Sequence, residues 1–222
     1  MAIINNHNKI KLDADFQEKH KELFKVFSDN NLDVEINGDF SGLKSFLTSL
    51  SKDDYPYEFD GTFEGIDDTT NSFALLLKSG DTIVSTYAAM KIDYNNFVND
   101  MKAYYKGTYE DVGIDSGNQL YSSCQWVSKD HRGKKLGMCL DHLKKNIVFD
   151  ILNGDVNYAI HKEAFKDYHN DGLKYDTSSK LATIPEGDVG GAGEKIDKIY
   201  NVTWTTKSSW ASKQDDVKKL YS

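Results

Sequence analysis

The feature that most constrains the fold is a strand, a basic turn containing glycine, and then a long amphipathic helix. Residues 133–152 predict that helix, because its apolar side chains recur at helical spacing in one stripe: Leu136, Leu140, Leu143, Ile147 and Ile151. The segment Leu120–Val127 comes just before it and predicts a strand. A striped helix has to bury its apolar side against another layer, so this unit predicts helices packed on a sheet.

Shorter patterns extend this arrangement along the rest of the chain. Helices are predicted over Asp13–Asp29, from Asp39 or Ser41 to Leu50, Tyr94–Tyr105 and Ala164–Asn170. Strands are predicted over Leu32–Ile36, Ser72–Leu77, Thr82–Met90, Val156–Ile160, Lys180–Ile184 and Ile196–Thr206. The turn Lys78–Asp81 joins two of these strands in a hairpin. Strands and helices alternate without a flexible linker, which predicts one mixed α/β domain over residues 1–222.

Composition excludes several classes of protein. The 222 residues carry 27 Lys and Arg against 35 Asp and Glu, a formal charge of −8. This acidity argues against nonspecific binding to nucleic acid or to an anionic membrane. No apolar run approaches the roughly 20 residues of a membrane helix, and residues 1–12 lack the apolar stretch of a secretory signal. Two cysteines, Cys124 and Cys139, cannot build a disulfide framework, so we expect a cytoplasmic protein with both thiols buried.

The basic turn predicts a site for an anion. Four cations crowd this turn of an acidic protein: Lys129, Arg132, Lys134 and Lys135. The first amides of the following helix lack partners within the helix, and the helix dipole adds positive charge there. A phosphate or pyrophosphate is the ligand that suits such a site. For a turn taken alone, a strand–turn–helix with solvated lysines is the more common explanation.

Two motifs point to a family. Arg132 and Gly137 match the outer positions of the pattern Q/R-x-x-G-x-G/A, with Gly133 and Leu136 at free positions and Lys135 in place of the middle glycine. Downstream, five residues match N-x-x-A-x-x-x-Y-x-x-x-G-F at its spacing, with His for Asn and Leu for Phe: His161, Ala164, Tyr168, Gly172 and Leu173. On these motifs the chain resembles the GNAT superfamily of acyl-CoA-dependent N-acyltransferases, most closely over residues 119–175.

The resemblance implies a fold and a cofactor. The fold is a single GNAT-like domain whose central mixed, mostly antiparallel sheet is flanked by helices, with the family's fourth and fifth strands splayed apart. Residues 94–118 look like an insertion before the fourth strand. The cofactor is acetyl-CoA or another acyl-CoA. Its implied contacts are the backbone of Trp126 and Val127 for pantetheine, His161, and the pyrophosphate-binding residues Arg132, Gly133, Lys134, Lys135, Leu136 and Gly137.

The resemblance also implies a reaction. An acetyl or other acyl group passes to an amine on a small molecule or a protein, and Tyr168 protonates the leaving thiolate. A phenol has an ordinary pKa of about 10, so it can donate a proton at neutral pH. The plainer alternative for Tyr168 is a helix tyrosine whose ring packs in the core. No general base is evident, because Ser122, Ser123 and Gln125 are poor bases and the nearest titratable groups are His161 and Glu163.

Two other functions stay open. The missing base and Lys135 favour a GNAT-fold protein that has lost catalysis and binds a partner within a larger assembly or a homo-oligomer. Transfer of an acyl or aminoacyl group to a nucleic-acid base is the third possibility, and the net charge speaks against it. No metal site is expected, although acidic and histidine residues cluster at 161–171, because their spacing scatters them around a short helix.

Overall fold

The sheet is the frame on which the rest of the chain is arranged. The computed structural model describes residues 1–51, 54–55, 70–93, 117–162, 182–183 and 199–221. The strands are β1 Ile3–Asn6, β2 Asp33–Asn37, β3 Phe73–Ser79, β4 Thr82–Lys91, β5 Gln119–Val127, β6 Val156–Lys162, β7 Ala182–Thr183 and β8 Ile199–Thr206. They form one sheet in the order β1-β2-β3-β4-β5-β6-β8-β7. The pairs β1–β2 and β5–β6 are parallel and the other pairs are antiparallel, which confirms the predicted mixed sheet.

The predicted hairpin lies at the centre of this sheet. Strands β3 and β4 pair from Phe73–Ala89 to Ser79–Thr82. Gly80 has φ of +60° in the turn between them, a conformation that glycine adopts without the steric cost of a side chain. Most side chains on both faces of the two strands are buried, which explains their continuous apolar runs.

The helices lie on both faces of the sheet. They are α1 Ala14–Lys19, α2 Lys21–Asp29, α3 Ser41–Ser49, α4 Leu136–Asn146, α5 Lys207–Ser212 and α6 Gln214–Lys218. One apolar cluster, which includes Phe27, Leu75 and Leu143, fills the face covered by α2 and α4. A second cluster lies under α3 and includes Leu47, Leu76 and Trp126. Leu75 and Leu76 belong to different clusters because successive strand residues point to opposite faces.

The prediction of a single helix over Asp13–Asp29 is wrong in one respect, because the helix is interrupted at His20. Asp13 does cap α1, since its carboxylate accepts from the N–H of Phe16 at 2.9 Å. His20 has φ of −117° and separates α1 from α2. Its buried ring bonds to the Asp150 carboxylate at 3.0 Å and to Asn146 at 3.2 Å. These tertiary bonds outweigh the continuous helical pattern of the sequence.

The helix predicted over residues 133–152 is shorter at both ends. Gly133 and Lys135 have φ of +79° and +60°, so residues 133–135 cannot be α-helical and α4 begins at Leu136. A wider, π-type turn replaces the α-helix over Ile147–Ile151. The apolar stripe itself is confirmed, since Leu136, Leu140 and Leu143 are each no more than 1% exposed.

The sequence patterns missed three short elements. Strand β1 is short and mostly exposed and lies at the edge of the sheet, so its sequence carries little hydrophobic alternation. Helices α5 and α6 have six and five residues, too few for a helical period to stand out. The elements predicted at 94–105 and 164–170, and most of the insertion predicted at 94–118, lie outside the described residues. Among the helices that the structure describes, none is long and apolar enough to span a bilayer.

Candidate active site

A gap opens between the two central parallel strands. β5 and β6 share four paired positions, from Gln119–Val156 to Ser122–Ala159. Beyond these, β5 continues to Val127 alongside β4, and β6 continues to Lys162 alongside β8. From Ser123 onward, the edge of β5 on the side of β6 therefore has no paired strand in the described sheet. This separation confirms the predicted splay of the family's fourth and fifth strands.

A bulge shapes β5 where the gap begins. Cys124 has φ of +60° and the register with β4 shifts between Thr86 and Ala88. The Thr86 hydroxyl donates to the Cys124 carbonyl at 2.8 Å, and the Ser85 hydroxyl donates to the Trp126 carbonyl at 2.8 Å. The Trp126 carbonyl thus faces β4, and backbone alternation along a strand turns the neighbouring groups of Gln125 and Val127 toward the gap. Bulges at such positions re-aim a strand beside a functional site.

The turn between β5 and α4 presents a row of free backbone donors. A 3₁₀ turn over Lys129–His131 leads to Gly133. The first bonded amide of the helix is that of Cys139, which donates to the Lys135 carbonyl at 2.9 Å. No N–H group from Gly133 to Met138 has an acceptor among the described residues, and no side chain caps α4. These amides and the dipole of the 11-residue helix make a site for an anion.

The four cations of the turn differ in their availability. Lys129 pairs with Asp54 at 2.8 Å, and this bond, followed by one from the Ser51 hydroxyl, lowers the pKa of Asp54. Arg132 uses Nε to donate to the Val127 carbonyl at 3.2 Å, and Lys135 Nζ donates to the Leu220 carbonyl at 2.8 Å. Lys134 is exposed and has no ion-pair partner among the described residues. The anion site therefore has Lys134 and the outer nitrogens of Arg132 to add to its amides.

Lys135, which stands at the middle glycine of the pattern Q/R-x-x-G-x-G/A, has a backbone conformation that glycine adopts most easily. Its φ of 60° and ψ of 9° lie in the left-handed region, where a side chain is strained. The lysine keeps this glycine-like backbone and directs its side chain toward Leu220. A Cβ added at Gly133 would meet nothing within 4 Å. Lysine thus occupies a backbone conformation that favours glycine, the residue at this position of the motif.

Two further residues of the pattern tie the turn to the core. The Leu136 side chain is 1% exposed and packs in the cluster under α2 and α4. The Gly137 carbonyl accepts from Gln125 Nε2 at 3.0 Å, which joins the first turn of α4 to β5. On the opposite face, the ring of Trp126 packs edge-on against Phe46 with centroids 5.2 Å apart.

The second motif cannot be compared in the same way. His161 lies in β6 opposite Asn201 of β8, two residues past the last position that β6 shares with β5. It therefore belongs to the arm of β6 that borders the gap. Ala164, Tyr168, Gly172 and Leu173 lie outside the described residues, as does Glu163. The roles predicted for Tyr168 and His161 stay predictions.

A buried cluster of charge lies on α4 behind the gap, and the sequence analysis missed it. Lys144 is 0% exposed and donates to Asp141 at 2.7 Å, while Lys145 donates to the other oxygen of Asp141 at 2.9 Å. Burial by itself would raise the pKa of Asp141, but the two ammonium groups outweigh burial and lower it. Lys144 follows Leu140 by four residues and so lies within the apolar stripe, which was the available signal.

Burial favours the neutral forms of two other side chains on α4, His142 and Cys139. Burial lowers the pKa of His142 to about 3, so its imidazole is neutral at pH 7. The ring shares a hydrogen bond with the Tyr221 hydroxyl and lies 5.2 Å from the ring of Trp210. Burial raises the pKa of the Cys139 thiol to about 12, and Cys124 is also buried, as predicted. No group of three or more metal-ligating side chains occurs within the described ranges.

Comparison with known proteins supports the fold. No protein-family model and no curated protein matches the sequence. One similar structure is FeeM, an N-acyl amino acid synthase from uncultured soil microbes, with a TM-score of 0.51 and 9% identity, covering 82% of this chain and 93% of that one. Another is spermidine/spermine N-acetyltransferase SpeG from Vibrio cholerae, with a TM-score of 0.50 and 12% identity, covering 85% and 99%. The chain therefore shares the fold of these two proteins, which is the GNAT fold that its motifs predicted.

The left-handed backbone at residue 135 predicts an unusual order of stability. Lys135→Gly and Lys135→Ala both lose the bond to Leu220, but only alanine keeps a side chain in the strained region. We expect the glycine variant to be more stable than the alanine variant by about 1 kcal/mol. Urea denaturation of the two proteins measures this difference. An alanine variant of equal or greater stability would contradict the left-handed conformation.

The buried His142 predicts a loss of stability in mild acid. Its folded pKa of about 3 lies below its ordinary value of 6.5, so between these pH values the unfolded chain binds a proton that the folded chain does not. Stability should therefore fall as the pH drops below 6.5, by up to about 1.4 kcal/mol per pH unit. Free energies of unfolding at pH 7, 6 and 5 should fall less steeply for His142→Asn. Equal slopes for the two proteins would show that His142 is not buried in its neutral form.

Proposed function

We propose that this protein is an acyl-CoA-dependent N-acyltransferase, most simply an acetyltransferase. The observation that carries the proposal is that the unpaired edge of β5 leads directly into the free amides at the start of α4. The unpaired edge of β5 begins at Ser123 and leads, through Val127, into the free amides at the start of α4. A ligand with a diphosphate at one end and an extended amide-containing arm at the other suits this shape. Acyl-CoA has that chemistry.

The residues of the turn fit the diphosphate. The amides of Gly133–Met138 supply donors, and Lys134 and Arg132 supply positive charge. The open space next to Gly133 leaves room for a ligand to approach the backbone. Lys135 contributes its amide, since its side chain is directed to Leu220. Leu136 and Gly137 fix the first turn of the helix on the core, which keeps these donors in place.

The open edge of β5 fits the arm. The Gln125 backbone and the Val127 N–H face the gap and can pair with the amides of pantetheine as a strand would, while the Val127 carbonyl accepts from Arg132 Nε. The Trp126 carbonyl is already bonded by Ser85, so we assign the backbone contact predicted for Trp126 to its neighbours. The Trp126 side chain instead packs on Phe46 and supports this stretch of β5 from the other face. His161 borders the same gap from β6.

Acyl-CoA supplies an activated acyl group as a thioester. Transfer forms a C–N bond between the acyl carbon and the acceptor amine and breaks the C–S bond, and the proton lost by the amine balances the proton gained by the thiolate. Backbone amides near the bulge at Cys124 are suited to polarise the thioester carbonyl. The family resemblance gives the role of acid to Tyr168. The acceptor is an amine of a small molecule or a protein.

Calorimetry with acetyl-CoA and with CoA tests the proposal directly. The wild-type protein should bind both, and replacing Arg132 and Lys134 together by Gln should weaken binding at least about tenfold, because charge-assisted bonds to phosphate are lost. Lys25→Gln, which removes an exposed lysine from α2 and leaves the turn intact, is the matched control. Absence of binding at millimolar acetyl-CoA rejects the acyltransferase. Binding without transfer to any amine in a broad screen favours the catalytically inactive alternative.

Tyr168→Phe tests the assignment of the acid. Removal of the hydroxyl should lower kcat by about 100-fold, the lower end of what acid–base catalysis contributes, and leave the affinity for acetyl-CoA within twofold. Steady-state kinetics and calorimetry of the same preparations separate the two effects. A variant with an unchanged kcat would rule out Tyr168 as the proton donor.

A further inference from the structure

A line of hydrogen bonds runs from Lys144 on α4 to Asn157 on β6. It passes through Ser122, the last residue of β5 that pairs with β6. Lys144 Nζ donates to Ser122 Oγ at 2.6 Å. An ammonium has no lone pair, so the Ser122 hydroxyl accepts this bond and gives its own proton to Asn157 Oδ1 at 2.9 Å. The amide nitrogen of Asn157 then donates to the Leu120 carbonyl at 3.1 Å. The direction of every bond in the line is thus fixed.

The surroundings hold this line rigidly in place. Lys144 is 0% exposed, Asn157 is 2% exposed and Ser122 is 4% exposed. A buried ammonium is costly unless it is paired, and Lys144 has both the Asp141 carboxylate and the face of the Tyr87 ring, 4.3 Å from its centroid. Breaking any member of the line leaves a buried polar group without its bond. The position of the Ser122 hydroxyl is therefore set by α4 as well as by the sheet.

The line lies where the strands part. Ser122–Ala159 is the last position that β5 and β6 share, and the gap begins at the next residue of β5. The bonds through Ser122 and Asn157 hold the two strands together on the closed side of this point. On the open side, the described strands share no pairing. The location of the line thus coincides with the closed end of the gap.

We infer that Lys144 is a positioning residue which, through Ser122 and Asn157, fixes where the gap closes. The line would thereby set how deeply the arm of an acyl-CoA enters between β5 and β6. This role rests on the function proposed above and assigns no chemistry to Lys144 itself. About 16 Å of strand, at about 3.3 Å per residue, separates Ser122 from Val127 and the anion site beyond it. The line therefore affects the arm of the ligand and leaves the grip on its diphosphate unchanged.

Calorimetry with two ligands distinguishes this role from a general effect on folding. One ligand is acetyl-CoA, and the other is 3′-phospho-ADP, which has the diphosphate without the pantetheine arm. Ser122→Ala should weaken binding of acetyl-CoA about tenfold and change binding of 3′-phospho-ADP less than twofold. Ser122→Thr retains a hydroxyl and should restore acetyl-CoA binding to within threefold of wild type. Asn157→Ala breaks the line at its other end and should give the same asymmetric loss.

Ser72→Ala is the matched control. Ser72 is a fully buried serine before β3, and its hydroxyl accepts from the N–H of Lys91 at 2.8 Å, away from the gap. Its replacement should change neither affinity. If wild type binds 3′-phospho-ADP and acetyl-CoA, an equal loss of both in Ser122→Ala, or a loss of neither, overturns the positioning role alone. If wild type binds neither ligand, the proposed function falls and this role falls with it.

Discussion

The incomplete pairing of β5 is the constraint on which the rest of the structure depends. A central strand normally satisfies its backbone on both edges, but β6 pairs with only the first four residues of β5. The other edge of β5 is held by β4, with two side-chain bonds from Ser85 and Thr86 added to the ladder. An open edge inside a sheet leaves backbone hydrogen-bonding groups unpaired, and the function proposed here assigns these groups to an extended ligand. The bulge, the turn and the buried line behind the gap all adjoin this edge.

The start of α4 is positively charged although the protein as a whole is acidic. The formal charge is −8, yet the start of α4 combines free amides with Arg132 and Lys134. Two other lysines of the turn are already engaged, one by Asp54 and one by the Leu220 carbonyl. Backbone donors therefore supply most of the site, and side-chain charge is the smaller part. This arrangement is compatible with the diphosphate of the proposed ligand.

The fold could be predicted from the sequence to the extent that local patterns agree with tertiary structure. The stripe of α4, the hairpin of β3 and β4 and the glycine turn all have local periods or local conformations that the residues themselves dictate. The break at His20 could not be predicted, because it depends on bonds to Asn146 and Asp150 that are distant in sequence. The start of α4 moved by three residues because Lys135 takes a conformation that lysine alone does not favour.

Part of the candidate site could also be predicted from local sequence, and part depends on contacts between distant residues. The anion turn follows from residue types and spacing, since glycine, basic residues and a helix start lie within a dozen positions. The role of Lys144 does not, because a lysine in a helix sequence is usually solvated and its burial depends on Ser122 and Asp141 meeting it in space. The side chain of His161 and the whole of Tyr168 are outside the described residues, so the second motif remains a statement about sequence.

The segment of residues 207–221, which includes α5 and α6, contacts α4 along its whole length. Trp210 bonds to Asn146 near one end, Tyr221 bonds to His142 in the middle, and Leu220 accepts from Lys135 at the other end. Because three bonds join this segment to α4, we expect residues 207–221 and the turn before α4 to unfold locally together. Solvent exchange of the first bonded amide of α4, that of Cys139, is thereby expected to follow the release of residues 207–221. Occupancy of the turn by an anion would in return slow the release of that segment.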